Sequence, residues 1–149
     1  MLNFSRLAEE NYHSVSIVRS PTVYGYSKNL RLGTGLNRVI FDAHFKARVS
    51  IHGVTDYQGP HIYIDDLIAA LVDYIGDVKV GVGYVSFESV MLEDLILGLN
   101  DVFQNLDVIY LEQDQLVKTL RIKSYADSIE RLPSGLTKNI KAMSDWFIY

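Results

Sequence analysis

The chain has 149 residues, is 48% hydrophobic and carries 14 Lys and Arg against 18 Asp and Glu, a formal net charge of −4; this is read as one domain, residues 1–149, with enough apolar side chains for a real core. Scattered basic residues argue against a nucleic-acid partner, and no run of about 18 apolar residues marks a membrane span. MLNFSRLAEE has neither the basic nor the apolar region of a signal peptide, and the absence of cysteine excludes disulfides, thiolate nucleophiles and cysteine metal sites, so a cytoplasmic protein is expected.

Phe4 to His13 is rich in helix formers and reads as an amphipathic helix, followed by a short β-branched strand, Val15 to Val18. Ser20 to Gly35 holds Pro21, Gly25, Gly33 and Gly35 without an apolar period and reads as a long loop. From Leu36, the residues Val39, Ile40, Ala43 and Ala47 recur at helical spacing, and Val49 to Ile51 reads as a strand. A second loop runs to Pro60, then a brief strand from His61 to Ile64 leads into DDLIAALVDYI, where Leu67, Ile68, Leu71, Val72 and Ile75 form one apolar face. Lys79 to Val82 reads as a strand, Val90 to Phe103 as a helix apolar on most sides and hence buried, and Val108 to Leu111 as another strand. After a Pro133-Ser134-Gly135 turn, a last helix, Thr137 to Phe147, packs Ile140, Met143 and Phe147. Alternating helices and strands give an α/β fold built on a few mostly parallel strands.

Several constellations invite a chemical reading. Tyr24 and Lys28 have the spacing of a catalytic Tyr-x-x-x-Lys, but Pro21 and Gly25 favour a loop, in which the two do not share a helix face. Asp65 and Asp66 could serve metal or acid/base chemistry; their place at a helix start favours an N-cap and a charge suited to the helix dipole. His13, His44, His52 and His61 show no ligand spacing, so surface or packing roles are expected and no metal is. Met143, Trp146 and Phe147 share helical spacing and are expected in the core. The strongest candidate is KNLRLGTGLNR, Lys28 to Arg38: Gly33 and Gly35 lead into a helix start beside Lys28, Arg31, Asn37 and Arg38. Open backbone amides with basic side chains suit a phosphate. The alternative is a flexible solvated loop.

Three anchors, in order, resemble the carboxy-terminal half of the NAD-dependent epimerase/dehydratase family, the extended short-chain dehydrogenases. VSIVRSPTVYG (Val15 to Gly25) resembles its strand running into Val-Tyr-Gly, HIYIDDLIAALV (His61 to Val72) its Tyr-Val-Asp-Asp helix opening, and SGLTKNIKAMSDWF (Ser134 to Phe147) its closing helix. The resemblance implies a partial Rossmann-like fold and the substrate-binding portion of an enzyme acting on a nucleotide-sugar. It implies substrate contacts from Thr22, Lys28, Arg31, Gly33, Gly35, Asn37 and Arg38, and contacts to NAD or NADP from Pro21 and Val23.

The departures matter as much. The family's catalytic helix falls on Phe4 to His13, with serine at Ser5, but its lysine position falls on Arg6 and its tyrosine position on Leu2, which has no proton to shuttle. The glycine-rich turn for the NAD pyrophosphate is missing, and Gly81-x-Gly83 does not replace it. A phosphate-gripping arginine ahead of the Tyr-Val-Asp-Asp segment falls on Gly59. No catalytic residue is therefore assigned, and NAD binding by this chain alone is not expected. The chain is read as a truncated or split product, a piece of a longer protein, or a subunit paired with a Rossmann-half partner. A binding or assembly module that self-associates through an exposed apolar surface is the alternative.

Overall fold

The computed structural model describes residues 10, 16–33, 35–52, 59–76, 81–85, 88–111, 128–129 and 135–147. The helix expected from Phe4 to His13, with Leu2, Ser5 and Arg6, therefore lies outside the described residues, apart from Glu10. The strands are β1 Ser16–Arg19, β2 Thr22–Tyr24, β3 Arg48–His52, β4 Gly59–Tyr63, β5 Gly81–Val85, β6 Glu88–Val90, β7 Asp107–Leu111 and β8 Ser128–Ile129. The helices are α1 Gly35–Lys46, α2 Ile64–Gly76, α3 Leu92–Val102 and α4 Leu136–Asp145.

The strands form three small sheets, ordered β1-β5-β8, β2-β4-β6 and β3-β7. Every pairing is parallel except the β4/β6 pair. The α/β reading with mostly parallel strands holds, and parallel pairing explains why α1, α2 and α3 fall between the strands: a parallel partner needs a crossover.

One segment departs from the sequence pattern. Thr22 to Tyr24, expected within a loop, is a strand in parallel register with His61 to Tyr63. Three residues between Pro21 and Gly25 are too few to show an alternation; the pairing with β4 makes the strand. Further on, β4 begins at Gly59 and gives way to α2 at Ile64, so Asp65 and Asp66 stand inside the first turn of the helix and not at its cap. Their charge still favours the helix dipole.

The main core joins α1, α3 and α4 to β2, β3 and β4. Leu36, Val39, Ile40 and Ala43 supply the buried face of α1, and they meet Val49, Ile51, Leu95, Leu99, Ile140, Met143 and Phe147. The helical spacing expected from Leu36 thus holds as far as Ala43. Ala47 lies past the helix end in a left-handed conformation, φ 49°, and its carbonyl accepts the Asp107 N–H at 3.0 Å, which ties the end of α1 to the start of β7. Two helices approach closely at Gly98. A Cβ there would stand 3.1 Å from both Thr137 Oγ1 and Ile140 Cδ1, so the missing side chain lets α4 lie against α3.

Two burial expectations are corrected. The segment from Val90 to Phe103 is not apolar-buried on most sides: Val90 belongs to β6, and α3 buries Leu95, Gly98 and Leu99 while Met91 and Leu97 are exposed. A helix lying on one layer covers one stripe only. Trp146 is 59% exposed, whereas Met143 and Phe147 are buried as expected; α4 ends at Asp145, so Trp146 leaves the inward stripe. In α2 the expected apolar face is present but lies largely in solvent, with Ile68, Val72 and Ile75 at 52%, 61% and 73% exposure. That helix buries only Ala70 fully, in a small second cluster with Ile62 and Val85, flanked by Val18, Val23 and Leu67.

Candidate functional site

The site is built where β2 turns toward α1. Tyr24 ends β2 inside the main core, 1% exposed, and its hydroxyl accepts a hydrogen bond from Asn139 Nδ2 of α4 at 3.0 Å. Both groups are buried, so this bond satisfies two polar atoms that would each be costly alone. The next residue, Gly25, has φ 126°, a region that side chains with a Cβ avoid. A Cβ there would also stand 2.6 Å from Ile64 Cγ2 and 2.9 Å from Tyr63 Cε2. Gly25 is thus the point where the loop leaves the core, pressed against the first residue of α2.

From Gly25 the chain runs out through an exposed turn at Lys28 and returns at Gly35 to start α1. Asn37, in the first turn of α1, ties the two limbs. Its Oδ1 accepts the Gly25 N–H at 2.9 Å, and its Nδ2 donates to the Arg31 carbonyl at 3.1 Å. The side chain is buried, and both ends of its amide are engaged. Tyr26 adds a second anchor: its ring stacks on Trp146, centroids 5.5 Å apart and 4° from parallel, and meets Phe147 edge-on.

The residues expected at a substrate site divide accordingly. Arg31 and Asn37 are brought together by a hydrogen bond, and Asn37 also reaches Gly25, which was not among the expected contacts. Lys28, Arg31 and Gly33 are exposed on the outer limb, with no atom within 4 Å of a Cβ built on Gly33. Gly35 opens the helix. Arg38 is exposed but paired, its Nε 2.8 Å from Asp42 Oδ2, and Lys46 Nζ holds the other carboxylate oxygen at 2.8 Å. Burial alone would raise the Asp42 pKa, yet the bonds from Lys46 and Arg38 outweigh it and hold the carboxyl below its ordinary range. Thr22 is exposed on β2 beside His61, and Pro21 and Val23 flank it half-buried, Val23 packing on the second cluster. Tyr24 lies inside and Lys28 outside, so they do not form a catalytic pair.

Two helix starts of opposite character meet at Gly25. The start of α1 has no acidic residue in its first turn and lies in a loop carrying Lys28 and Arg31. The start of α2 carries Asp65 and Asp66. The hydroxyl of Tyr63 between them is pushed above its usual pKa, by burial first and then by Asp65 and Asp66. Only the α1 side suits an anion.

His61 is also buried here, edge-on to Tyr24. Its Nδ1–H donates to the Gly59 carbonyl at 3.0 Å, and burial, outweighing that bond, lowers its pKa. It is a packing histidine, as is His44, bonded to Ser144 Oγ at 2.9 Å and ringed by Phe45, Phe103 and Phe147. His13 and the His52 side chain lie outside the described residues. Among the described residues no three His, Asp or Glu side chains are grouped to hold a metal ion.

Among the described residues, neither the start of α2 nor that of α3 has the form of a dinucleotide cradle. Such a cradle needs a strand passing through a glycine turn into a helix start free of negative charge. Here β4 runs straight into α2 with Asp65 and Asp66 in its first turn, and α3 carries Glu93 and Asp94 in its first turn. Among the described residues no helix is long and apolar enough to cross a membrane.

What holds the loop is not marked in the sequence: Asn37 bonds both of its limbs and Asn139 bonds Tyr24, and a polar residue within an otherwise apolar helical stripe is the signal for both.

No protein-family model and no curated protein sequence matches the chain. Its fold does match solved structures. An NAD-dependent NDP-hexosamine 5,6-dehydratase of tunicamycin biosynthesis superposes with a TM-score of 0.74 at 18% identity, over 98% of this chain and 51% of that one. UDP-N-acetylglucosamine 4-epimerase from Methanobrevibacter ruminantium, in complex with UDP-N-acetylmuramic acid, gives 0.74 at 21% identity, over 97% and 50%. UDP-glucuronic acid 4-epimerase from Bacillus cereus, in complex with UDP-glucuronic acid and NAD, gives 0.67 at 18%, over 97% and 49%. The chain spans about half the length of these structures, and its fold is the α/β fold of the part of them that it covers.

Proposed function

We propose that this chain is the nucleotide-sugar-binding portion of an enzyme of the epimerase/dehydratase kind and that it does not catalyse alone. The observation that carries this reading is the loop fixed at the start of α1, with exposed Lys28 and Arg31 and the glycines Gly33 and Gly35 beside a helix start that has no acidic residue in its first turn. A diphosphate is the anion it suits, with Thr22 toward the sugar and Pro21 and Val23 toward the cofactor side. When bound, NAD or NADP would supply hydride transfer. The described residues contribute binding and orientation: Lys28 and Arg31 offset the diphosphate charge, and the backbone of Gly33 and of Gly35 offers N–H donors. Isothermal titration of this chain with UDP-glucuronic acid, and separately with NAD, tests the proposal. Binding of the UDP-sugar that weakens when Lys28 and Arg31 are replaced by alanine supports it, whereas tight NAD binding by this chain alone overturns the division of labour.

A second reading is an assembly module that self-associates or pairs with a subunit carrying the Rossmann half. The exposed stripe Ile68, Val72 and Ile75 on α2 favours it, because contiguous apolar surface commonly marks an interface. Light scattering across a concentration series tests this reading. A monomer throughout, unchanged by Val72→Lys, removes self-association.

A further inference from the structure

We infer that Asn37 is the positioning residue of the loop, a buried amide that sets the distance between the β2 exit and the basic turn and so fixes where Arg31 is presented. Three observations carry it. The side chain is 4% exposed although it stands next to an exposed loop. Its two polar atoms reach in opposite directions, Oδ1 to the Gly25 N–H at 2.9 Å and Nδ2 to the Arg31 carbonyl at 3.1 Å. Finally, Gly25 is buried at the end of β2 with its side-chain space already filled: a Cβ there would stand 2.6 Å from Ile64 Cγ2 and 2.9 Å from Tyr63 Cε2, so the core packs closely around it. The amide therefore transmits a fixed point of the core, through one side chain, to the Arg31 backbone. Leu30, packed against the main core, backs the same limb.

A merely buried asparagine would serve stability alone. This one bonds two backbone groups of the segment proposed to hold a diphosphate, so losing either bond changes the loop before it changes the fold. The two bonds can be cut separately. In Asn37→Asp the carboxylate still accepts the Gly25 N–H, and a negative charge in the first turn of α1 is favourable to the helix dipole; the donor to the Arg31 carbonyl is gone, replaced by repulsion between oxygens. Asn37→Leu, of similar size, removes both bonds and strands the Gly25 N–H.

The inference rests on the nucleotide-sugar reading for its ligand but not for its geometry, and the experiment separates the two. Hydrogen exchange of the amides from Lys28 to Gly33, thermal melting and titration with UDP-glucuronic acid are compared for the wild type, Asn37→Asp and Asn37→Leu. In Asn37→Asp we expect loop exchange to rise about tenfold and affinity to fall about fivefold, with the protection of α1 kept and the melting temperature lowered by the charge placed in a buried site. Asn37→Leu should show the same loop and affinity changes together with a lower melting temperature. Unchanged loop exchange in both variants overturns the inference, as does a loosened loop with unaltered UDP-glucuronic acid affinity. If the wild type does not bind UDP-glucuronic acid, the nucleotide-sugar reading fails, and Asn37 is judged by loop exchange alone.

Discussion

α1 and α2 have nearly the same length and both carry a helical apolar stripe, yet they end in opposite places. The stripe of α1 is sealed between β3, α3 and α4, with Leu36, Val39, Ile40 and Ala43 all at 2% exposure or less. That of α2 leaves Ile68, Val72 and Ile75 in solvent and buries Ala70. Periodicity establishes that a helix has an apolar face; it does not say which neighbour covers that face. In α1 the neighbours are here, whereas in α2 the small cluster of Ile62, Ala70 and Val85 occupies only the narrow side of the helix.

The contrast is broken most directly by matched truncations. Leu99→Ala, at the fully buried contact of α3 with the main core, should destabilise by about 3 kcal/mol. Ile75→Ala should stay within about 0.5 kcal/mol, since the side chain is 73% exposed and no cavity forms. Urea denaturation of the two variants measures both. Equal losses would mean that the α2 stripe is covered in solution, by a partner or by a second copy of the chain.

The next effect concerns the point where the two regions touch. Gly25→Ala forces a Cβ into Ile64 Cγ2 at 2.6 Å in a left-handed backbone, and overpacking of this kind costs about 2 kcal/mol. Because Ile64 is the first residue of α2 while the Gly25 N–H is held by Asn37 of α1, the strain should loosen both helix starts. Exchange at the first turns of α1 and α2 would show it, and loss confined to one helix would show that they are not coupled through this glycine.

Much of the sealed region was legible in the sequence because its signals were long. Leu36 to Ala43 repeats at helical spacing, and Ile140 and Met143 do the same in α4, with Phe147 buried just past its end, each with its partner face present. Short or long-range features were not legible. β2 is three residues whose strand character comes from pairing with β4, and the buried bond from Asn139 to Tyr24 spans 115 positions. Of the candidate site, the loop and its cations were legible from Gly33, Gly35, Lys28 and Arg31. The role of Asn37 was not, because an amide reads the same in sequence whether it faces a ligand or holds two backbone groups. Trp146 was expected inside on helical spacing, but the helix ends one residue earlier.

A smaller effect follows from His61, buried in the sealed region with its pKa lowered by burial. Its unfolded value is about 6.5, so in the window below 6.5 the unfolded chain binds the proton before the folded one does. Stability is therefore fully present above that value and falls as pH drops toward the folded pKa. Melting temperature should decline between pH 7.5 and 5.5 in the wild type and decline less in His61→Gln. Identical slopes would show that another group carries the pH dependence.

The smallest effect is expected at Arg48 and Asp107, which face each other across the β3/β7 pair with Arg48 Nε 2.8 Å from Asp107 Oδ2. The short distance alone would suggest a strong tie. Both side chains are more than half exposed, however, at 63% and 52%, so water screens the attraction and holding two side chains in one geometry offsets most of the gain. The strands do not depend on the pair: their parallel ladder runs from Arg48/Asp107 to His52/Leu111, and the Asp107 N–H is held by the Ala47 carbonyl. Arg48→Ala should therefore change stability by less than about 0.5 kcal/mol, and 0.5 M salt should erase the difference from wild type. A larger loss that survives salt would place the contribution in the packing of the arginine stem on β7, making this edge, like the α2 stripe, a surface whose worth lies in its apolar contacts.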